Sequence, residues 1–201
     1  MTNAIIVGNG TSRANISVER LKAGLQAQVY ACNAFYRGRG PAYTLPDWLI
    51  AIDDGMIAEI HASDFPKERF ILPPEDERWE PAACNPGRPR SNAGMNAMTA
   101  AIRNGASSLY CIGFDFLLMS NREQSVSNIF DGTKNYGPET RSSWVDNYGR
   151  MRYLEWMANE NKETRITFLF PEENYYDGYA RPSSPKNLFV KPIETQFLSH
   201  T

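Results

Sequence analysis

The chain has 201 residues, with 21 basic and 23 acidic side chains and a formal net charge of -2 at pH 7. This length suits one domain with one sizeable core and is short for two. Because the charges nearly balance, the overall field does not favour nucleic acid or an anionic membrane. An anionic ligand would have to be bound locally.

The cysteines and the N-terminus predict where the protein resides. The three cysteines, Cys32, Cys84 and Cys111, show no Cys-x-x-Cys spacing, which favours buried thiols in a reducing compartment. The apolar run from Ala4 to Val7 is too short for a signal peptide or a membrane span. We therefore expect a cytoplasmic protein without a transmembrane segment.

Apolar runs alternate with amphipathic segments along the chain. The runs that predict strands are Ala4–Val7, Val29–Cys32, Trp48–Ile52, Phe70–Leu72, Leu109–Gly113 and, as the last strand, Ile166–Phe170. The segments that predict helices are Ile16–Leu25, Met56–His61, Asn92–Arg103 and Trp144–Ala158. This alternation predicts an α/β fold: one doubly wound, mainly parallel, Rossmann-like sheet with helices on both faces and right-handed crossovers.

Three segments lack this periodicity. Residues 73–89 hold five prolines, and residues 120–143 are polar, so both are predicted to be loops or lids on an α/β domain spanning residues 1–171. Residues 172–201 are predicted to form an extended, irregular tail. Its tyrosines, Tyr175, Tyr176 and Tyr179, favour docking either on its own domain or on a second copy, which would make a homo-oligomer.

The first predicted strand runs directly into the loop Gly8-Asn9-Gly10-Thr11-Ser12. Backbone N–H groups and hydroxyls at the carboxyl end of a parallel strand can cradle a nucleotide or a phosphate. The loop lacks the third glycine of a dinucleotide fingerprint and the lysine of a P-loop. A tight turn that simply requires glycine is the alternative.

Polar residues also follow the next two predicted strands. The Asn33 amide can hydrogen-bond a base or a sugar hydroxyl, and Arg37 can bind a phosphate or carboxylate, although a capped strand end would use the same residues. Asp53 and Asp54 suit either a divalent cation or the cap of the following helix. Both interpretations remain open.

A second loop, Arg90-Ser91-Asn92-Ala93-Gly94, opens a predicted helix. A helix N-terminus favours anions, so hydroxyl and amide groups there predict a binding site, while ordinary N-capping by Ser91 or Asn92 is the alternative. The strand that follows this helix ends in Phe114-Asp115-Phe116, which adds Asp115 and Phe116 to the candidate ligand contacts.

These two loops together resemble a known family. Residues 5–37 begin Ile-Ile-Val-Gly-Asn-Gly-Thr-Ser and end Tyr-Ala-Cys-Asn-Ala-Phe-Tyr-Arg, like the nucleotide-binding stretch of the bacterial sialyltransferases that decorate lipo-oligosaccharide. Residues 90–116 are similar to that family's second motif, an Arg-x-Thr-Ser-Gly helix start followed by a strand ending Gly-Ile-Asp-Phe. The chain also resembles the wider group of sialyltransferase-like and pterin-pyrophosphokinase-like domains.

The resemblance implies a transferase for a CMP-activated sugar, with a glycan acceptor and neither metal nor other cofactor. Asn9, Gly10, Ser12 and Asn33 would contact the cytidine nucleotide, and Ser91, Asn92, Ala93 and Gly94 would close over it. The family's general base is a histidine after its second motif, whereas this chain has only His61 and His200. The family's tyrosine after Asp-Phe is Leu117 here, and its Thr-Ser is Asn92-Ala93.

Other residues are therefore candidates for catalysis. The carboxyl groups of Asp131, Glu139 and Asp146 would serve as a base if burial raised their pKa, and Tyr136 and Tyr148 are the available tyrosines. Two further functions stay open. One is a phosphotransferase that places Mg²⁺ with Asp53, Asp54 and Asp115, and the other is a nucleotide-binding protein without catalytic activity.

Overall fold

The computed structural model of the chain describes residues 2–38, 43–75, 78, 91–118, 124–125, 128–138, 141–142, 144–171 and 185–198. Seven strands of this part form one sheet: β1 (Asn3–Val7), β2 (Gln28–Cys32), β3 (Trp48–Ile50), β4 (Phe70–Ile71), β5 (Ser108–Ile112), β8 (Arg165–Phe170) and β9 (Leu188–Pro192). Their order across the sheet is β4-β3-β2-β1-β5-β8-β9, and every neighbouring pair is parallel. The predicted α/β, Rossmann-like fold is confirmed.

Helices cover both faces of this sheet. They are α1 (Val18–Leu25), α2 (Asp54–Ala62), α3 (Ala93–Arg103) and α4 (Trp144–Glu160). Alternate residues of β1 point to opposite faces. Ile5 and Val7 belong to the core beneath α1 and α2, and Ala4 and Ile6 to the core beneath α3 and α4. The central strand is therefore buried on both sides, which explains its continuous apolar run.

Side-chain caps fix the starts of two of these helices. The Ser17 hydroxyl accepts a hydrogen bond from the Arg20 N–H at 3.3 Å, and the Asn92 side-chain oxygen accepts one from the Met95 N–H at 2.9 Å. Such caps satisfy N–H groups that have no partner within the helix. The second cap matters for the site, because it sets where α3 begins at the carboxyl edge of the sheet.

Strand β9 differs from the prediction that Phe170 ends the last strand and that an irregular tail follows. Residues 188–192 pair in parallel with β8, at the edge of the sheet. The strand is only half-buried and ends in Lys191 and Pro192, so it lacks the apolar run that identifies a central strand. The Asn187 amide anchors its start by donating to the carbonyls of Ala158, Asn161 and Thr164.

The predicted lid segments are described in part. Within residues 120–143, β6 (Gln124–Ser125) and β7 (Arg141–Ser142) form an antiparallel pair, and the turns of residues 128–138 lie against the first loop, where the Ile129 N–H donates to the Asn9 carbonyl at 2.9 Å. Most of segment 73–89 lies outside the described residues, as do the tail tyrosines. No helix in the described ranges is long and apolar enough to cross a membrane.

Candidate functional site

The strand order places a crevice at the carboxyl ends of β1 and β5. From β1 the chain adds β2, β3 and β4 on one side, then returns to add β5, β8 and β9 on the other. Open α/β sheets bind ligands where the strand order reverses in this way. The first loop (residues 8–12) follows β1, and Gly113 to Phe116 follow β5, so both lie at this point.

Two glycines bring these strand ends into contact. A Cβ on Gly8 would lie 2.4 Å from the Gly113 carbonyl oxygen, and Gly113 has a positive φ of 71°. The Gly8 N–H donates to the Ile112 carbonyl at 2.9 Å, and the Gly10 N–H donates to the Gly113 carbonyl at 3.0 Å. These two N–H groups therefore bind the neighbouring strand, which differs from the prediction that they cradle a phosphate.

Asp115 holds the rest of the first loop. Its carboxylate accepts hydrogen bonds from the Ser12 hydroxyl, from the Ser12 N–H at 3.0 Å and from the Thr11 hydroxyl at 3.4 Å. Burial raises the pKa of Asp115, while the bonds from Ser12 and Thr11 act in the opposite direction. Asp115 is thus at the predicted edge, and its contacts are with the loop itself.

Asn9, Asn33 and Tyr136 meet on the other side of the first loop. The Asn9 amide nitrogen donates to the Cys32 carbonyl and to the Tyr136 hydroxyl, both at 3.3 Å. Asn33 has a positive φ of 51°, a conformation that asparagine tolerates. The side-chain oxygens of Asn9 and Asn33 are buried and have no hydrogen-bond partner within the described ranges.

Tyr136, a catalytic candidate in the sequence analysis, is buried at this position. Burial raises its pKa to about 12, although hydrogen bonds with Asn9 and Asn33 favour ionisation. The hydroxyl is therefore protonated at neutral pH. The sequence gives no sign of this contact, because Asn9 and Tyr136 are 127 positions apart.

Arg37 is predicted to bind a phosphate or carboxylate of a ligand, but in the structure it pairs with a carboxylate of the protein. Its Nε and Nη2 donate to the two carboxylate oxygens of Glu59, both at 2.6 Å, and its Nη1 donates to the Thr133 hydroxyl at 2.9 Å. The Tyr36 hydroxyl and the Asn135 amide also bond to Glu59. This cluster fastens the 128–138 turns to α2 and to the residues after β2.

The start of α3 lies close to the same edge. Ala93 packs with Cys32 and Ile52, which lie at and just beyond the ends of β2 and β3. Gly94 lies against Phe114, where a Cβ would be 3.0 Å from the ring. The Ser91 hydroxyl accepts a hydrogen bond from Asn96 at 2.9 Å. Capping by Asn92, the alternative interpretation of this loop, is present, and Arg90 lies outside the described residues.

The remaining candidates are more dispersed. Asp53 precedes α2 without a side-chain capping bond, and burial, followed by the charge of Asp54, raises its pKa. The Asp131 carboxylate accepts from the Asn128 N–H at 3.0 Å, within a turn. The Phe116 ring packs edge-on against Phe114, and Asp146 lies in the first turn of α4. Glu139 lies outside the described residues.

No three His, Cys, Asp or Glu side chains of the described part are grouped to hold a metal ion.

Arg13 is the residue of this region that the sequence analysis missed. It is only 5% exposed, its Nε donates to the Gly8 carbonyl at 2.7 Å, and its guanidinium lies 4.9 Å from the centroid of the Phe35 ring. Its Nη2 is buried without a hydrogen-bond partner in the part of the chain described. An arginine in a turn ordinarily predicts an exposed side chain, so only its place directly after the loop could have indicated it.

A separate cavity of about 270 Å³ lies between α1 and the last two strands of the sheet. Tyr110, Thr167 and Leu169 line it from the sheet, with Arg165 and Lys191 among its charged residues. It shares no residue with either loop.

The sequence matches no protein family and no curated protein. Its fold is similar to the solved structure of MAf glycosyltransferase from Magnetospirillum magneticum AMB-1, with 17% sequence identity and a TM-score of 0.51. The similarity covers 97% of this chain and 34% of that one, so this chain spans about a third of the length of that protein. At this identity the likeness shows a shared fold.

Proposed function

We propose that the chain is a glycosyltransferase-type domain that binds a CMP-activated sugar, of the sialic acid class, and transfers it to a glycan hydroxyl. The observation that carries this proposal is the pair of unpartnered, buried amide oxygens of Asn9 and Asn33 at the reversal point of the sheet. Buried polar atoms are ordinarily hydrogen-bonded. At the edge where open α/β sheets bind ligands, such atoms favour a ligand that donates hydrogen bonds.

A cytidine nucleotide has suitable donors. Its base has an amino group and its ribose has hydroxyl groups, and an amide oxygen accepts hydrogen bonds from either. The start of α3, where Ala93 packs near Cys32, offers a second wall beside the same strand ends. The shared fold with a glycosyltransferase supports sugar transfer as the reaction class, and the motif resemblance supports the CMP-activated donor.

Transfer would proceed by direct displacement. The acceptor oxygen bonds to the anomeric carbon, the bond from that carbon to the phosphate oxygen breaks, and the acceptor proton passes to a base. Tyr136, protonated at neutral pH and bonded to Asn9, is suited to donate a hydrogen bond to the leaving phosphate. Asp115 is the buried carboxylate nearest the first loop, but Ser12 and Thr11 already occupy it.

A nucleotide-binding domain without transferase activity is the second candidate function. The chain's two histidines are His61 and His200, and His61 lies on α2 with its ring against Phe70. No histidine therefore lies between Phe116 and the predicted last strand, which is where the resemblance places the general base. Binding without turnover would favour this candidate.

Thermal unfolding with CMP, CDP, UDP, GDP and ATP, each with Mg²⁺ and with a chelator, tests the proposal. A ligand at a hundred times its dissociation constant adds about 2.7 kcal/mol to the stability of the folded state. We expect a shift with CMP that does not depend on metal. A shift only with ATP or a diphosphate plus Mg²⁺ would favour the phosphotransferase, and no shift with any nucleotide would overturn a nucleotide site here.

Asn33→Gly is the sharpest variant, because glycine adopts the positive φ of this position and removes the amide. Gln26→Gly is its matched control, since Gln26 has a φ of 49° at the end of α1. We expect at least tenfold weaker CMP binding for Asn33→Gly, or about 1.4 kcal/mol, and unchanged binding for Gln26→Gly. Release of CMP from CMP-sialic acid in the presence of a glycan acceptor then distinguishes a transferase from a binding domain.

A further inference from the structure

Arg13 lies against the inner side of the first loop. Its Nε donates to the Gly8 carbonyl, its guanidinium lies over the Phe35 ring, and its Cδ lies 3.0 Å from the place of a Cβ on Gly113. With 5% of its surface exposed, the side chain is almost fully buried between the two strand ends that form the crevice.

The charge of Arg13 has no ion-pair partner among the described residues. The salt bridges in this part of the chain join other residues, and the Nη2 of Arg13 is a buried donor without an acceptor. Burial lowers the pKa of Arg13 to about 10, so the side chain is still a cation at neutral pH. Buried charges are normally paired, because an uncompensated one is costly to remove from water.

Three groups interact electrostatically with the Arg13 cation but form no ion pair or hydrogen bond with it. They are Cys32, Asp115 and Tyr136. Burial raises the pKa of both Cys32 and Tyr136 to about 12, so these two are uncharged at neutral pH. The Asp115 carboxylate bonds to Ser12 and Thr11 instead. The carboxylate is therefore occupied, and the guanidinium keeps an unused donor.

The first loop has few other means of attracting an anion. The N–H groups of Gly8, Gly10 and Ser12 are bonded within the protein, and the loop contains no lysine. A buried charge is weakly screened, so its field extends through the thin glycine backbone into the crevice. Among the described residues, Arg13 is the cation whose side chain bonds to this backbone, through the Gly8 carbonyl.

We propose that Arg13 makes the crevice selective for an anionic, phosphate-bearing ligand, by supplying the positive charge that the loop's own N–H groups do not. For a nucleotide monophosphate this inference rests on the proposed function, while the preference for a phosphate group does not. Arg13 is a positioning residue: it holds the Gly8 carbonyl and acts on the ligand through its charge.

The test compares CMP with cytidine, which differs from it only by the phosphate. Isothermal titration with the wild-type chain should give at least tenfold tighter binding of CMP. In Arg13→Met the two ligands should bind alike, with cytidine affinity within about twofold of wild type. Arg20→Met is the matched control, because Arg20 is exposed on α1, where its Nη1 donates to the Leu198 carbonyl. It should keep the preference for CMP.

Stability separates this role from a structural one. Arg13→Met removes the cost of a buried charge but also the bond to the Gly8 carbonyl, so its melting temperature should stay close to that of the wild-type chain. Arg13→Gln, which keeps an N–H donor for the Gly8 carbonyl, is a second neutral variant. If both neutral variants fail to fold, the cation serves the fold and the inference is wrong. A neutral variant that folds and still prefers CMP also overturns it.

Inorganic pyrophosphate separates this inference from the proposed function. If neither CMP nor cytidine binds to the wild-type chain, the proposed function fails. Pyrophosphate that raises the melting temperature of the wild-type chain, but not that of Arg13→Met, would still support an anion site that depends on Arg13. No response to pyrophosphate in that case would overturn the inference too.

Discussion

The carboxylate of Asp115 fills the space that a side chain at position 10 would need. A Cβ on Gly10 would lie 2.3 Å from the Cγ of Asp115. The same carboxylate accepts hydrogen bonds from Ser12 and Thr11. Two features therefore fix the shape of the first loop together. Gly10 has no side chain, and the Asp115 carboxylate fills the space that this leaves.

Gly10→Ala should force this carboxylate out of its place. We expect a loss of about 1 to 3 kcal/mol in the free energy of unfolding, which is typical of overpacking, together with weaker CMP binding. Urea denaturation measures the first effect and titration the second. In the background of Asp115→Ala, the same glycine substitution should cost less, because the clashing group is gone. Equal costs in both backgrounds would show that the contact does not constrain the loop.

Asp115 should make the stability of the protein depend on pH. Its pKa is raised in the folded state, so the protonated form is favoured there, and this contribution is lost as pH rises from near 3.8 through the raised value. The stability of the wild-type chain relative to Asp115→Asn should fall over that window and stay level above it. Urea denaturation at a series of pH values measures this difference.

Ser12→Ala is the companion variant for this titration. The Ser12 hydroxyl favours the ionised form of Asp115, so its removal should raise the pKa of the carboxyl group further. The loss of stability should then extend to higher pH than in the wild-type chain. An unchanged window would mean that this hydrogen bond has little influence on the carboxyl group.

Arg37→Met should release the 128–138 turns. Glu59 would lose its main partner, and hydrogen bonds to charged groups contribute about 2 kcal/mol each. Hydrogen exchange of residues 128–138 should rise. Lys22→Met breaks a more exposed ion pair with Asp47 and should cost less than about 1 kcal/mol. Similar losses in both variants would contradict a special role for the Arg37 cluster.

Lowering the pH should weaken the same cluster of Arg37 and Glu59. Although burial alone would raise the pKa of Glu59, the hydrogen bonds from Arg37 and Tyr36 lower it below the usual value of 4.5. The ionised group therefore stabilises the fold above that value, and this contribution is lost as pH falls through the lowered pKa. In Arg37→Met this acid-dependent loss should shrink, which urea denaturation between neutral and acidic pH measures.

Tyr136→Phe should weaken CMP binding or slow sugar transfer while leaving the fold intact. Only a hydroxyl that hydrogen-bonds with Asn9 and Asn33 is lost, so the free energy of unfolding should change by about 1 kcal/mol. Because the pKa of Tyr136 is about 12, no titration of this group should affect activity near neutral pH. Tyr30→Phe removes a hydroxyl that bonds to Asn104 and is the control. Equal functional effects in both variants would contradict a role for Tyr136.

The central strands were predictable because they are buried on both faces. Ile5, Val29 and Leu109 each lie in a run of apolar residues, and the observed strands differ from the predicted ones by no more than two residues at either end. Strand β9 was not predictable in this way. Its pairing with β8 depends on backbone hydrogen bonds at an exposed edge, and Lys191 and Pro192 give no apolar pattern.

The candidate site was predictable where it follows strand ends. Asn9 and Asn33 lie at the expected edge, because parallel strands end on the same side of a sheet. The contacts of Arg37 with Glu59 and the burial of Arg13 depend on how distant segments pack. Local sequence carries no signal for such packing, so the sequence predicts a ligand contact for Arg37 and no role for Arg13.

The contact between Gly8 and Gly113 has an evolutionary consequence. The backbones approach so closely that a Cβ on either residue would meet the carbonyl oxygen of the other, at 2.4 and 2.7 Å. A methyl group at one position cannot be absorbed by a smaller residue at the other, since both are already glycine. Homologues that keep this sheet order should therefore retain both glycines, or lose both together with the crevice that they form.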